Sequence, residues 1–164
     1  MTRIGLGYDV HAFADGRRLI LGGVEIDHER GLLGHSDADA LAHALADAVL
    51  GALRAGDIGQ LFPDTDPAYA GASSIELLGR VAALAADQGW RIADADCVLV
   101  LERPKVAEHR AAMRANLARA LGVGLECVGV KATTTERLGF EGREEGVGAL
   151  AVVLLERVGA THER

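Results

Sequence analysis

Asp9-Val10-His11 sets a carboxylate and an imidazole two residues apart, at the end of a stretch, 2–11, that reads as a β-strand. Alternate residues of a strand point to the same face, so both side chains leave the sheet together. A third donor, His43, falls in GLLGHSDADALAHALADAVLGALRAG, the strongest helix signal in the chain. Here Leu41, Leu45, Ala48, Val49 and Ala52 recur at helical spacing on one face, while Asp39, His43 and Asp47 line the opposite side. Asp, His and His with a fourth position open would suit a zinc ion that must also meet a substrate. A solvated helix face would use the same acidic and imidazole stripe, and spacing alone leaves both readings standing.

Other groups could receive phosphate. His35-Ser36 precedes the helix, and Ser36 with Asp39 three residues later has the form of a capping box. A helix N-terminus also offers free N–H groups and the positive end of its dipole to an anion, which a cap does not preclude. Lys131-Ala132-Thr133-Thr134-Thr135-Glu136 leads into Leu138-Gly139-Phe140 and Gly142-Arg143. Three hydroxyls and a carboxylate would serve phosphate and a hard cation such as Mg²⁺, although threonines also simply favour strands. Glu102-Arg103-Pro104-Lys105 closes an apolar run, either as a ligand-facing strand end or as a charged surface turn.

These groups need a frame. Segments 2–11 and 17–22 read as strands, the second closing on Gly22-Gly23. The helix bearing His43 runs on to Gly56, a residue suited to a left-handed stop. DIGQLFPDTDPAYAGA is a loop by its proline, aspartate and glycine content. A second helix, 73–87, would turn Ile75, Leu78, Ala82 and Ala85 inward, and ADCVLVL suits a strand buried on both faces. A third helix carries Val106, Met113, Leu117 and Leu121 on its core side. Strand CVGVKATTT, the glycine-rich loop LGFEGREEG and strand GALAVVLLERV complete the chain. This order predicts one α+β domain over 1–164, a two-layer sandwich of about four mixed strands with helices on one face.

Composition narrows the function. The formal net charge of −7, from 17 basic and 24 acidic residues, is a poor footprint for a nucleic-acid binder. Aromatic residues make up only 4%, so the core must be built from Ala, Val and Leu. Cys97 and Cys127 lie in apolar runs without metal-type spacing and read as small buried hydrophobes. The N-terminal segment has no signal pattern and no apolar stretch reaches membrane-spanning length, so a cytoplasmic protein is expected. There is no G-x-S-x-G elbow, Walker-type loop or dinucleotide-binding G-x-G-x-x-G, which disfavours α/β-hydrolase, kinase and Rossmann readings.

GYDVHAF, LGGVEI, GLLGHSDADALAHALADAVLGA, GDIGQLFPDTDP, the Pro-Lys pair and VKATTTERLGFEGREEG, in this order, resemble the 2-C-methyl-D-erythritol 2,4-cyclodiphosphate synthase family. The resemblance implies conversion of 4-diphosphocytidyl-2-C-methyl-D-erythritol 2-phosphate into a cyclic diphosphate with release of CMP, in the non-mevalonate isoprenoid route. It implies zinc on Asp9, His11 and His43, and a second divalent cation, Mg²⁺ or Mn²⁺, on Glu136. His35 and Thr134 match transition-state-stabilising positions. Asp9, His11, His35 and Ser36 match contacts to the substrate's phosphorylated sugar. Asp57, Ile58, Gly59, Phe62, Pro63, Asp64, Thr65 and Asp66 match substrate loops, with Asp57 at the ribose. Leu101, Glu102, Arg103, Pro104, Lys105, Val106 and Ala107 match the cytidine pocket; Thr133, Thr134, Thr135 and Glu136 match the diphosphate region, and Phe140 and Arg143 the tail of that loop. The resemblance further implies a homotrimer with active sites between subunits. A zinc phosphohydrolase and a non-catalytic nucleotide-binding regulator are the rival readings.

Overall fold

β1 (Thr2–Ala14) alternates strictly: Gly5 and Gly7 are buried, with Asp9 and His11 next on the same side, while Ile4, Leu6, Tyr8 and Val10 face outward. The computed structural model describes residues 1–159; residues 160–164, included in the single domain expected above, lie outside the described residues. After β1 come β2 (Leu19–Leu21), β3 (Val24–Ile26), β4 (Gly31–Leu32), α1 (Ala40–Leu53), α2 (Ile58–Leu61), α3 (Ser74–Asp87) and β5 (Trp90–Val100). The chain continues through α4 (Arg110–Leu121), β6 (Val128–Thr133), α5 (Gly139–Gly142) and β7 (Gly146–Arg157).

The main sheet has five strands in the order β4-β1-β7-β5-β6. β5 and β6 run parallel and the other neighbours antiparallel, so the sheet is mixed as expected. The fifth strand is the two-residue β4, whose Gly31 and Leu32 pair with Ala14 and Phe13. So short a piece carries no periodicity for a sequence pattern to reveal. The strand expected at 17–22 shortens to β2, which forms a separate hairpin with β3.

Helices α1, α3 and α4 cover one face of the sheet. α1 lies almost on the backbone of β1, because a Cβ on Gly5 or Gly7 would stand only 1.8 Å from the carbonyl oxygens of Ala48 and Ala44 respectively. The same approach brings His43 over Asp9 and His11. Leu41, Leu45, Ala48, Val49 and Ala52 are buried as expected, in a core dominated by Leu, Val and Ala. α4 buries Met113, Leu117 and Leu121, with Val106 packed just before it.

Several local expectations are corrected. The side of α1 opposite the expected core face is not solvated: His43 is buried against β1, Asp47 is half-buried, and Asp39 is wholly buried as the N-cap. Its carboxylate accepts from Leu41 and Ala42 N–H, both at 3.1 Å, and from Gly22 and Gly23 N–H at 2.9 and 2.7 Å. Burial raises its pKa, opposed by those N–H donors. Ser36 therefore stands in the preceding loop and caps no helix; Asp39 is the cap and takes the Leu41 and Ala42 N–H groups. α1 stops at Arg54, itself left-handed at φ 64°, rather than at Gly56. α3 buries Leu77, Leu78, Val81 and Ala85, whereas Ile75 and Ala82 are only half-buried. β5 is covered on one face alone: Cys97 and Leu99 point into the core, and Val98 and Val100 remain partly exposed. Cys97 and Cys127 are free, Cys127 half-buried; burial pushes the Cys97 thiol up to about 12, leaving it unreactive. No helix among the described residues is long and apolar enough to cross a membrane.

Candidate metal centre and its two clefts

Strand alternation delivers Asp9 and His11 to the covered face, and α1 delivers His43 from above. Asp9 Oδ2 lies 2.9 Å from His11 Nε2 and 3.2 Å from His43 Nδ1, and the two imidazole nitrogens are 3.1 Å apart. Tetrahedral ligands about 2.1 Å from a metal stand roughly 3.4 Å from one another, so the observed triangle is nearly of metal-ligand size. His11 Nδ1 donates to the Leu33 carbonyl at 2.7 Å, which leaves the lone pair of Nε2 facing inward. His43 turns its other nitrogen, Nε2, toward Ser74 Oγ at 2.8 Å and Ser36 Oγ at 3.2 Å. Burial alone would raise Asp9, but its hydrogen bonds and attraction to both imidazoles outweigh it and hold the carboxyl well below its ordinary range. Burial likewise works against the charged form of His11, yet hydrogen bonding and attraction to Asp9 raise it overall. The three groups thus form a donor set of the kind that could hold a metal ion, the one such cluster among the described residues.

The donor set opens into a cleft of about 350 Å³, whose walls include His11, His35, Ser36 and His43, together with Ile58, Gly59, Phe62 and Asp64. Asp57 caps α2 through Gln60 N–H at 2.8 Å, and Asp47 anchors the same turn by accepting from Ile58 N–H at 2.7 Å. Asp66 caps the 3₁₀ turn Pro67–Tyr69, and its carbonyl lies 3.0 Å from His35 Nε2. Pro63 and Thr65 belong to this loop without lining the cleft.

The later residues gather elsewhere. Leu101, Pro104, Lys105, Val106, Ala107, Thr133 and Thr134 line a second cleft of about 340 Å³. Glu102, Arg103, Thr135, Glu136, Phe140 and Arg143 stand outside its walls. Glu102 gives its carbonyl to Lys105 Nζ at 3.1 Å, and Arg103 approaches Glu144 at 3.7 Å. Glu136, in a left-handed conformation at φ 55°, accepts from Thr134 Oγ1 at 3.0 Å. Arg143 makes a two-pronged contact with Glu145 at 2.9 and 3.1 Å. The register Val10–Gly148–Val100–Thr133 puts both clefts at the same end of the sheet. Three strand spacings, about 14 Å, separate them there.

Sequence reasoning missed Asp37, Tyr69, Ser74, Leu77 and Arg110. Tyr69 packs edge-on against Phe62 at 5.3 Å, and Arg110 walls the second cleft. Ser73-Ser74 did mark a helix start, but nothing in its spacing from His43 announced a contact.

Residues 2–156 match the model of the YgbB family. A 2-C-methyl-D-erythritol 2,4-cyclodiphosphate synthase of Dechloromonas aromatica is 59% identical over 157 residues, covering 96% of this chain and 98% of the relative. The bifunctional IspDF of Campylobacter jejuni superposes with a TM-score of 0.92 at 43% identity; 96% of this chain is covered, but it spans only 42% of that longer protein. The Plasmodium falciparum IspF complex with CDP superposes with a TM-score of 0.84 at 31% identity, covering 96% of this chain and 97% of that one. The chain belongs to the YgbB family, the family of the 2-C-methyl-D-erythritol 2,4-cyclodiphosphate synthases.

Proposed function

We propose that this chain converts 4-diphosphocytidyl-2-C-methyl-D-erythritol 2-phosphate into 2-C-methyl-D-erythritol 2,4-cyclodiphosphate and CMP, as a cytoplasmic enzyme of the non-mevalonate isoprenoid route. The observation that carries the reading is the convergence of Asp9, His11 and His43, with both imidazoles in the wall of a cleft. An oxygen of the 2-phosphate attacks the β-phosphorus; the bond from that phosphorus to the bridging oxygen breaks, and its electron pair leaves with CMP. The nucleophile is the substrate's own anion, so the protein needs no serine nucleophile, and catalysis is chiefly positioning and charge neutralisation. Zinc held by Asp9, His11 and His43 would supply a fixed positive charge beside the phosphoryl oxygens.

The protein's own groups do the rest. His35, steadied by the Asp66 carbonyl, and the Ser36 hydroxyl face the phosphorylated sugar. Lys105 and the backbone of Leu101 to Ala107 receive the cytosine in the second cleft. Thr133 and Thr134 hold the diphosphate, and Glu136 would hold Mg²⁺ or Mn²⁺ in that region, which would offset the diphosphate charge. Two features support a homotrimer with shared sites. The half-sites are separate clefts in one chain, and the uncovered sheet face bears exposed Ile4, Leu6, Tyr8, Val10, Leu150 and Val152, a patch suited to burial between subunits.

The test is incubation with this substrate and measurement of CMP and inorganic phosphate together. CMP without phosphate is expected. Phosphate release would make the protein a phosphohydrolase, and saturable CMP binding without turnover would make it a regulator.

A further inference from the structure

The geometry points to Ser74 and Asp37 as positioning residues that fix the tautomer of His43 and so aim its Nδ1 at the metal. The inference rests on the metal reading of Asp9, His11 and His43 and names the part of the fold that holds that set ready. Asp37 Oδ1 accepts from the backbone N–H of Asp39 at 3.2 Å, and Oδ2 from that of Ser74 at 3.1 Å. Oδ1 also receives the Ser74 hydroxyl in a short contact. A serine hydroxyl has a single hydrogen. With that hydrogen committed to Asp37, Ser74 Oγ has only lone pairs to offer His43 Nε2, 2.8 Å away. Nε2 must therefore carry the ring proton, and Nδ1 presents a bare lone pair to Asp9 and His11.

The arrangement is sheltered, since Ser74 is 1% and Ser36 8% exposed. Ser36 lies 3.4 Å from Ser74 Oγ and accepts the N–H of Ala38 at 3.2 Å. With the Ser74 hydrogen given to Asp37, the Ser36 hydroxyl is the donor in its contact with Ser74, beside the cleft that it lines. Asp37 and Ser74 thus serve the ligand without touching metal or substrate.

The test uses the full-length protein without substrate. Zn²⁺ affinity is measured by chelator competition for the natural protein and for Ser74→Ala, Ser74→Thr and Asp37→Asn. The ring tautomer of His43 is read from imidazole ¹⁵N shifts in the metal-free state. Ser74→Ala is expected to weaken Zn²⁺ binding about 10–100-fold and to mix the His43 tautomers. Ser74→Thr, which restores the hydroxyl, should recover most of both, and Asp37→Asn should loosen the tautomer with Ser74 in place. Unchanged Zn²⁺ affinity and an unmixed tautomer in both Ser74→Ala and Asp37→Asn overturn the inference, even if stability falls. Absence of Zn²⁺ binding by the natural protein instead overturns the metal reading beneath it.

Discussion

Around His11 and His43 the working groups are tied to the frame of the fold. Asp9 and His11 sit on a thirteen-residue strand, His43 on a helix seated against it, and Asp39 and Asp47 fasten the neighbouring loops through buried or half-buried carboxylates. The second cleft is built differently. Beside its Thr133–Thr134 wall, Thr134 bonds Glu136, Thr133 bonds the Thr134 carbonyl, and Arg143 pairs with Glu145, all in the exposed segment between the end of β6 and the start of β7. A metal site gains from donors already held at the right separations, because misplacement by an ångström is costly. Side-chain bonds this local and exposed can be exchanged for phosphate oxygens, while the backbone of the segment stays tied to the fold through Phe13 N–H to the Glu145 carbonyl and Arg30 to the Glu144 carbonyl. One half of the proposed site is thus preformed, and the other is composed to be rearranged by what it binds.

The sharpest way to break this contrast is to remove the helical ligand. His43→Ala is expected to lose the bound metal and about a thousandfold in CMP release, the several kcal/mol that a metal centre supplies. Metal content and turnover are measured on the same sample, and full activity in a metal-free variant would sink the reading.

A second experiment asks whether the clefts work together across subunits. His43→Ala and Lys105→Ala proteins, each inactive alone, are unfolded and refolded as an equal mixture. If one chain supplies the first cleft and its neighbour the second, about a quarter of the sites should join two unmutated halves. A site contained within one chain would recover nothing beyond the separately refolded variants.

Smaller effects probe the seating of α1. Gly7→Ala would drive a methyl group into the Ala44 carbonyl and should destabilise the fold by about 1–3 kcal/mol. It should also weaken metal binding, since it lifts His43 away from Asp9. Gly51→Ala, on the same helix with its nearest neighbour 3.9 Å away, should be neutral or stabilising by up to about 1 kcal/mol. Denaturant unfolding of the two variants settles the difference, and equal losses would refute the close-packing argument.

The smallest expected effect is on pH dependence. Asp9 is lowered, so its stabilising contribution is present above the ordinary value of 3.8 and is lost as pH falls toward its depressed pKa. His11 is raised, so its contribution is complete below 6.5 and is lost as pH rises through its higher folded value. Metal-free protein should therefore become less stable above neutrality, and His11→Ala should flatten that limb in thermal unfolding. Zn²⁺ should bind more tightly over the same rise, as the competing proton leaves. Identical slopes for both proteins would remove His11 from the account.

Much of this was legible in the chain. The D-x-H spacing set two donors on one face because strand geometry has a period of two, and helical periodicity set His43 on a regular element. The order of strands and helices gave the layered α+β architecture with its helices on one side. Tertiary structure decided the rest. Asp39 lay on the same helical stripe as His43, yet it became a buried cap because the β2–β3 hairpin brought Gly22 and Gly23 over it. The run CVLV that ends β5 reads as buried on both faces, but coverage of its outer face depends on elements beyond the strand itself. Ser74 lies 31 residues from His43 in sequence, and no local pattern could foretell their contact. Residue type and local spacing select which donors a strand or helix presents. Only the close seating of α1 on the bare backbone of Gly5 and Gly7 sets the separations at which three of them can share one ion.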